Sequence, residues 1–286
     1  MTDAPFLLRP FIPGLSMNPQ DLASDRIQLH YAVQFIAAVG AALGKPQPDG
    51  SQVTLDWDEA LFGFIGKPIP DTSIQLVLLP GSLTSVILKD GGAIASLPLV
   101  GQTMQQALDW HKAELAKLGV ATDSIKLLEY PPDDFPDHPL AHGAAFEVGN
   151  SAGREAVAAY FAQTQPLLAK IVAENPAAAA IAIWPHHFDM ATLMTYAGPT
   201  EADTKYLGVG LSPGDPSYSE PYWYISPYPY PELSDLPTLE SGNWHTDHWV
   251  GAVLKATQIT KADDLPVFID RTVSVAKQIL SVPESA

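Results

Sequence analysis

Residues 73–92 read SIQLVLLPGSLTSVILKDGG. Two seven-residue aliphatic and β-branched runs, SIQLVLL (73–79) and LTSVILK (83–89), flank a Pro-Gly turn. An Asp-Gly-Gly turn follows at 90–92. Runs this short, bounded by turn residues, are strands of antiparallel hairpins rather than helices. Outward from this stretch, SQVTLDW (51–57) and LFGFI (61–65) add two more strands, with KPIPD as the next turn. The spacing predicts a helix before the strands at 18–43, where Asn18 caps and Pro19 sits just inside. Ile27, Tyr31 and Phe35 recur on one face of it. A second helix, 101–119, is capped by Thr103 and stopped by Gly119. SIKLLEY (124–130) is expected to be a further strand, and the proline-rich 131–143 a connector.

The second half repeats the order. A helix is expected over 151–175, kinked or broken at Pro166. Strands follow at 179–184, 188–196, 205–211, 220–226 and 249–256, then a final helix at 263–280. Runs of strands between helices imply an α+β fold, mostly antiparallel, packed by four long helices. Without a flexible linker the chain reads as one compact unit over 1–286. Pseudo-repeats at 18–119 and 151–281 are joined by 120–150. Trp57 against Trp184, LLPGS (78–82) against LSPGD (211–215), and Gly92 against Gly251 suggest that pairing.

Bulk properties narrow the function. Net charge is −17 and only four arginines are present, which disfavours nucleic acid, anionic membranes and polyphosphate clamps. The absence of cysteine removes disulfides, thiol nucleophiles and thiolate metal sites. The N-terminus lacks the basic region of a signal peptide, and no apolar run would span a bilayer, so a cytoplasmic protein is expected. No GxSxG, GxGxxG or Walker motif is present.

Chemistry concentrates in two stretches, IWPHHFDM (183–190) and NWHTDHW (243–249). In a strand, residues two apart share a face, which joins His187 to Asp189 and His245 to Asp247. Either pair would serve as a general base with its orienting carboxylate. His187, Asp189, His245 and His248 together would suit zinc, manganese or iron. The alternative is that these histidines only satisfy local backbone. SEPYWYISPYPYPEL (219–233) adds an aromatic wall: Tyr222 and Tyr224 share one strand face, Trp223 the other. Glu220 is placed to offer a carboxylate at the rim, and Trp184 ends the neighbouring strand.

W-P-H-H-F-D (184–189), S-P-G-D (212–215) and E-P-Y-W-Y (220–224) resemble an uncharacterised bacterial protein family, a domain of unknown function. The resemblance implies that His187, Phe188, Asp189, Asp215, Glu220, Tyr222 and Tyr224 occupy its motif positions. The HTDH histidines have no counterpart there, which weakens a metal site needing both clusters. The family brings no activity with it. The expectation is a small-molecule cleft between the halves, with His187 and Asp189 at its base and His245, Asp247 or His248 closing it. A hydrolase or lyase, metal-assisted or not, is one class. A non-enzymatic interaction module using the aromatic, proline-rich strand is the other.

Overall fold

A computed structural model describes residues 17–131 and 134–283. Most of the N-terminal stretch weighed as a signal peptide, and residues 132–133 of the connector, lie outside those. Eleven strands form one antiparallel sheet. The first half supplies β1 (Leu55–Asp58), β2 (Gly63–Gly66), β3 (Ile74–Leu79), β4 (Thr84–Lys89) and β5 (Gly92–Pro98). The second supplies β6 (Ala182–Trp184), β7 (Asp189–Tyr196), β8 (Lys205–Ser212), β9 (Tyr222–Tyr228), β10 (Asn243–His245) and β11 (Gly251–Lys255). Their order is β10-β11-β9-β8-β7-β6-β1-β2-β3-β4-β5. The halves join edge to edge, Leu55 of β1 paired with Ile183 of β6.

The fold is therefore α+β, with the helices packed on one face. Helices α1 (Ala23–Ala32) and α2 (Gln34–Leu43) are one long helix interrupted at Val33. The others are α3 (Met104–Lys117), α4 (Ser151–Glu174) and α5 (Asp264–Ile279). Asn18 caps the 3-10 turn that opens the first helix, its side chain accepting from the Gln20 amide. Thr103 caps α3 in a capping box with Gln106, an arrangement that stabilises a helix by about 1 kcal/mol. Helix α4 runs unbroken through Pro166, contrary to the expected break. Pro166 is exposed, so the bond it forfeits lies on the solvent side, where an open carbonyl costs least. Residues 124–130 are not a strand: Ile125 is buried and Tyr130 bonds Gln34 of α2, so the segment runs over helices. Strands β5 and β10 had no sequence-based expectation.

Strand alternation sends one set of side chains inward. Trp57, Phe64, Phe161 and Phe188 pack in sequence, edge to face and then tilted, with ring centroids 5.1, 4.9 and 5.0 Å apart. Trp223 donates its indole N–H to Thr164 of α4 at 2.8 Å. One core cluster spans both halves. The opposite set, including Asp189, Ala191 and Leu193 of β7, faces away from the helices; Met190, Thr192 and Met194 between them are buried. Among the described residues, no helix is long and apolar enough to cross a membrane.

Candidate functional site

The β6–β7 turn is built from below. Pro185, His186, His187 and Phe188 form a four-residue loop between the paired Trp184 and Asp189. The Phe188 amide donates to the Trp184 carbonyl at 2.8 Å. Phe188 takes a left-handed φ of 55°, which costs a non-glycine residue about 1–2 kcal/mol. Its ring, fully buried between His30, Phe64 and Phe161, offsets that strain. From α1, the His30 Nε2–H donates to the carbonyls of Pro185 (3.0 Å) and His186 (3.1 Å). The Gln34 amide donates to Pro185 at 2.8 Å. Carbonyls only accept, so His30 carries its proton on Nε2. Burial pulls its pKa down to about 3 and keeps it neutral.

Held this way, the turn presents Trp184, His186, His187 and Asp189 away from the core. Tyr224 of β9 lies across Gly210 of β8 and donates its hydroxyl to Asp189 Oδ2 at 2.5 Å. Only glycine permits this crossing: a β-carbon at Gly210 would stand 2.7 Å from the phenol carbon and oxygen of Tyr224. Asp189 Oδ1 is sealed from solvent and has no hydrogen-bond partner. Burial raises the Asp189 pKa against the opposing pull of the Tyr224 bond and the two histidines. Burial, then His187, lowers that of His186. The carboxyl and the imidazole are thus brought closer in proton affinity, which suits acid–base exchange. The phenols of Tyr222 and Tyr224 are pushed up by burial and by their carboxylates, so both remain donors.

A polar row continues along this sheet end. Ser212, one step beyond the Met190–Leu211 pair, stands opposite Asp189 and pairs with Tyr222. Tyr222 donates to Asp215 Oδ2 at 2.5 Å, and the amides of Ser217 and Tyr218 bind Asp215 Oδ1. The Tyr222 and Tyr224 rings lie 6.4 Å apart.

The two histidine stretches do not converge, which corrects the expected shared hollow. Four inter-strand steps separate β7 from β10, about 19 Å at ~4.8 Å per step. His245 is buried and satisfied: Nε2 donates to the Asp247 carbonyl at 2.6 Å, and Nδ1 accepts from Tyr218 at 2.9 Å. It stacks on Trp249 and closes the sheet edge. Asp247 and His248 side chains are 84% and 92% exposed and pair only with each other. His187 is half exposed and faces Asp134 at 3.8 Å. Among the described residues no three His, Cys, Asp or Glu side chains are placed to hold a metal ion. The set His187, Asp189, His245 and His248 is accordingly corrected: Asp189 and His245 lie on strands four steps apart, and His187 and His248 in the loops beside them. Glu220 is not at a rim either. It is buried and accepts from the Thr257 amide and hydroxyl at 2.8 and 2.9 Å. The halves share one sheet through the Leu55–Ile183 pair of β1 and β6. Two recesses lie elsewhere, beside Asp71–Ile74 and between Tyr196–Lys205 and Ser281–Pro283.

Residues missed in the sequence are Arg26, His30, Gln34 and Tyr218. The first three repeat every four residues along α1 and into α2, and all are buried, as are Tyr31 and Phe35. That four-residue spacing of Arg26, His30 and Gln34 was the available signal. A Ser85–His111 pair at 2.6 Å also looks chemical, but both groups are buried, and His111 donates its other nitrogen to the Ala107 carbonyl.

The molecule is thus an α+β protein whose second half carries a tyrosine–carboxylate row on the helix-free face of its sheet. No family model, no curated protein and no solved structure matches the chain.

Proposed function

We propose that this row is a small-molecule site in which Asp189, flanked by His186 and His187, exchanges protons with the ligand. Hydrolase or lyase chemistry of the general acid–base kind fits it best. The observation that supports this reading is the state of the Asp189 carboxyl. One oxygen is held by Tyr224 and the other is buried without a partner. An acceptor left unmet inside a structure costs about 1–3 kcal/mol, and a ligand N–H or O–H would recover it. A soluble library of small amines, amides and alcohols, read through the His186 and His187 imidazole resonances, tests the reading. Binders should shift both rings in the wild type and lose that effect in Asp189→Asn. Binders that never touch these rings would sink it.

A second reading, a non-enzymatic docking module, rests on Tyr228, Tyr230 and Leu233. All three are roughly half exposed, Tyr228 at the end of β9 and the others on the proline-rich segment after it. Tyr222 belongs to the row instead. A partner captured by wild type and lost in Tyr230→Ala, with the imidazole response unchanged, would favour docking.

A further inference from the structure

We infer that Arg26 forms an anion subsite at the end of this row, so that the ligand is a small amino acid in the broad sense: a carboxylate joined to an ammonium. The inference rests on the site proposed above and adds its second attachment point.

Four buried side-chain polar atoms lack a partner among the described residues: Arg26 Nη1, Trp57 Nε1, Gln165 Oε1 and Asp189 Oδ1. Two of the four belong to this one sheet end, a donor on a cation and an acceptor on a carboxyl. Arg26 leaves α1 and is 91% buried. Its Nη1 lies 2.1 Å from where a β-carbon of Gly214 would be, so the guanidinium occupies room that any other residue would close. Burial lowers the Arg26 pKa, and Asp215 opposes that shift by favouring the charged guanidinium. Both of its oxygens are already engaged, by Tyr222 on one side and by the Ser217 and Tyr218 amides on the other. Among the described residues no acceptor meets the N–H donors of Nη1, and a guanidinium fork suits a carboxylate.

Register places the backbone beside each open atom at one end of the sheet: Ser212 stands opposite Asp189, and Gly214, against which Arg26 Nη1 lies, follows two residues later. A chain of net charge −17 repels a simple anion and attracts an ammonium. An anionic group is best held here when the same molecule carries a cation for Asp189. Trp184, paired with Asp189, sets an aromatic face beside that position.

Calorimetry with glycine, β-alanine, 4-aminobutyrate and 5-aminopentanoate uses chain length as a ruler, with butyrate and butylamine as half-ligands. One length should bind at least ten-fold tighter than either half-ligand. Arg26→Lys, which keeps the charge and loses the fork, should weaken that acid about ten-fold and leave butylamine unchanged. Melting curves should confirm that this variant is folded. Soaking the tightest acid into crystals provides a second measurement, with its carboxylate expected on Nη1. Butylamine binding that depends on Asp189, with no gain from an added carboxylate, overturns the anion subsite and leaves the proton-exchange site standing. Failure of the whole series to bind, or ordered water on Nη1 with the acid elsewhere, overturns the inference as well.

Discussion

The β1–β2 turn of the first half and the β6–β7 turn of the second use the same backbone device. Each is a four-residue loop whose last residue is a phenylalanine in the left-handed region, Phe62 at φ 47° and Phe188 at φ 55°. Their surroundings differ. Phe62 is 39% exposed and Phe188 fully buried. Among the described residues no helix side chain clamps the carbonyls of Glu59–Phe62, whereas His30 of α1 and Gln34 of α2 pin the second turn, His30 at Pro185 and His186 and Gln34 at Pro185. After the loop comes Gly63 in one half and Asp189 in the other. A side chain at Gly63 would meet the Leu78 carbonyl at 2.8 Å. The helix-free face follows suit. In the first half it carries Val77, Val86 and Leu88 as a small apolar cluster, with Ile65 and Leu79. In the second half it carries Asp189, Ser212, Tyr222 and Tyr224. One scaffold thus supports an inert hairpin and a rigid polar platform, and anchoring of the turn phenylalanine separates them.

Phe188→Ala should break the contrast most strongly, destabilising the protein by about 4 kcal/mol in urea unfolding. Phe62→Ala should cost below about 1 kcal/mol; equal losses would show that anchoring does not distinguish the turns. Gly210→Ala drives a methyl into Tyr224 and should cost about 2–3 kcal/mol while disconnecting Asp189. An unchanged tyrosine hydroxyl environment in that variant would count against the crossing geometry.

Titration sharpens the comparison, because two helices of the first half bury a neutral histidine, His111 within that half and His30 against the second-half turn. Burial holds His111 at about 4 and His30 at about 3. Both are depressed from the ordinary 6.5, so the unfolded chain takes up protons first as pH falls. Stability should fall below pH ~6.5, by about 1.4 kcal/mol per pH unit for each histidine. The loss should end near pH 4 for His111 and continue to about pH 3 for His30. Urea midpoints of His30→Gln and His111→Gln across that range would resolve the two windows. Asp189 works in the opposite sense. Its pKa is raised, so the folded state holds its proton longer. Wild-type stability should decline as pH rises above the ordinary carboxylate value, and Asp189→Asn should flatten that decline. A steeper decline in the variant would contradict the burial of Asp189. Within the polar row a small effect is expected from Tyr224→Phe, about 1 kcal/mol for one hydrogen bond, with a shift in the His186 titration.

The pairs SIQLVLL and LTSVILK were legible as β3 and β4 because turn residues bound them and alternation fixes their faces. Strand parity also put Tyr222 and Tyr224 together and sent Trp223 to the core. The same local rule gave no warning that β10 would be an edge strand far from β7. Matching Trp57 with Trp184 misled for a related reason. Trp57 is buried against Phe64, while Trp184 pairs with Asp189 on the other face. A shift of one residue along a strand exchanges the faces.

By itself the sequence determined the helices with the Asn18 and Thr103 caps, the main strands, the absence of thiol chemistry, and Tyr222 and Tyr224 as residues turned one way. These are properties of near neighbours along the chain, set by periodicity and backbone preference. Only the tertiary structure decided that Tyr224 crosses Gly210 to reach Asp189, that His245 belongs to another edge, and that Arg26 ends beside Gly214. Those contacts join residues from 14 to 188 positions apart, and strand order together with core packing brings such partners within reach.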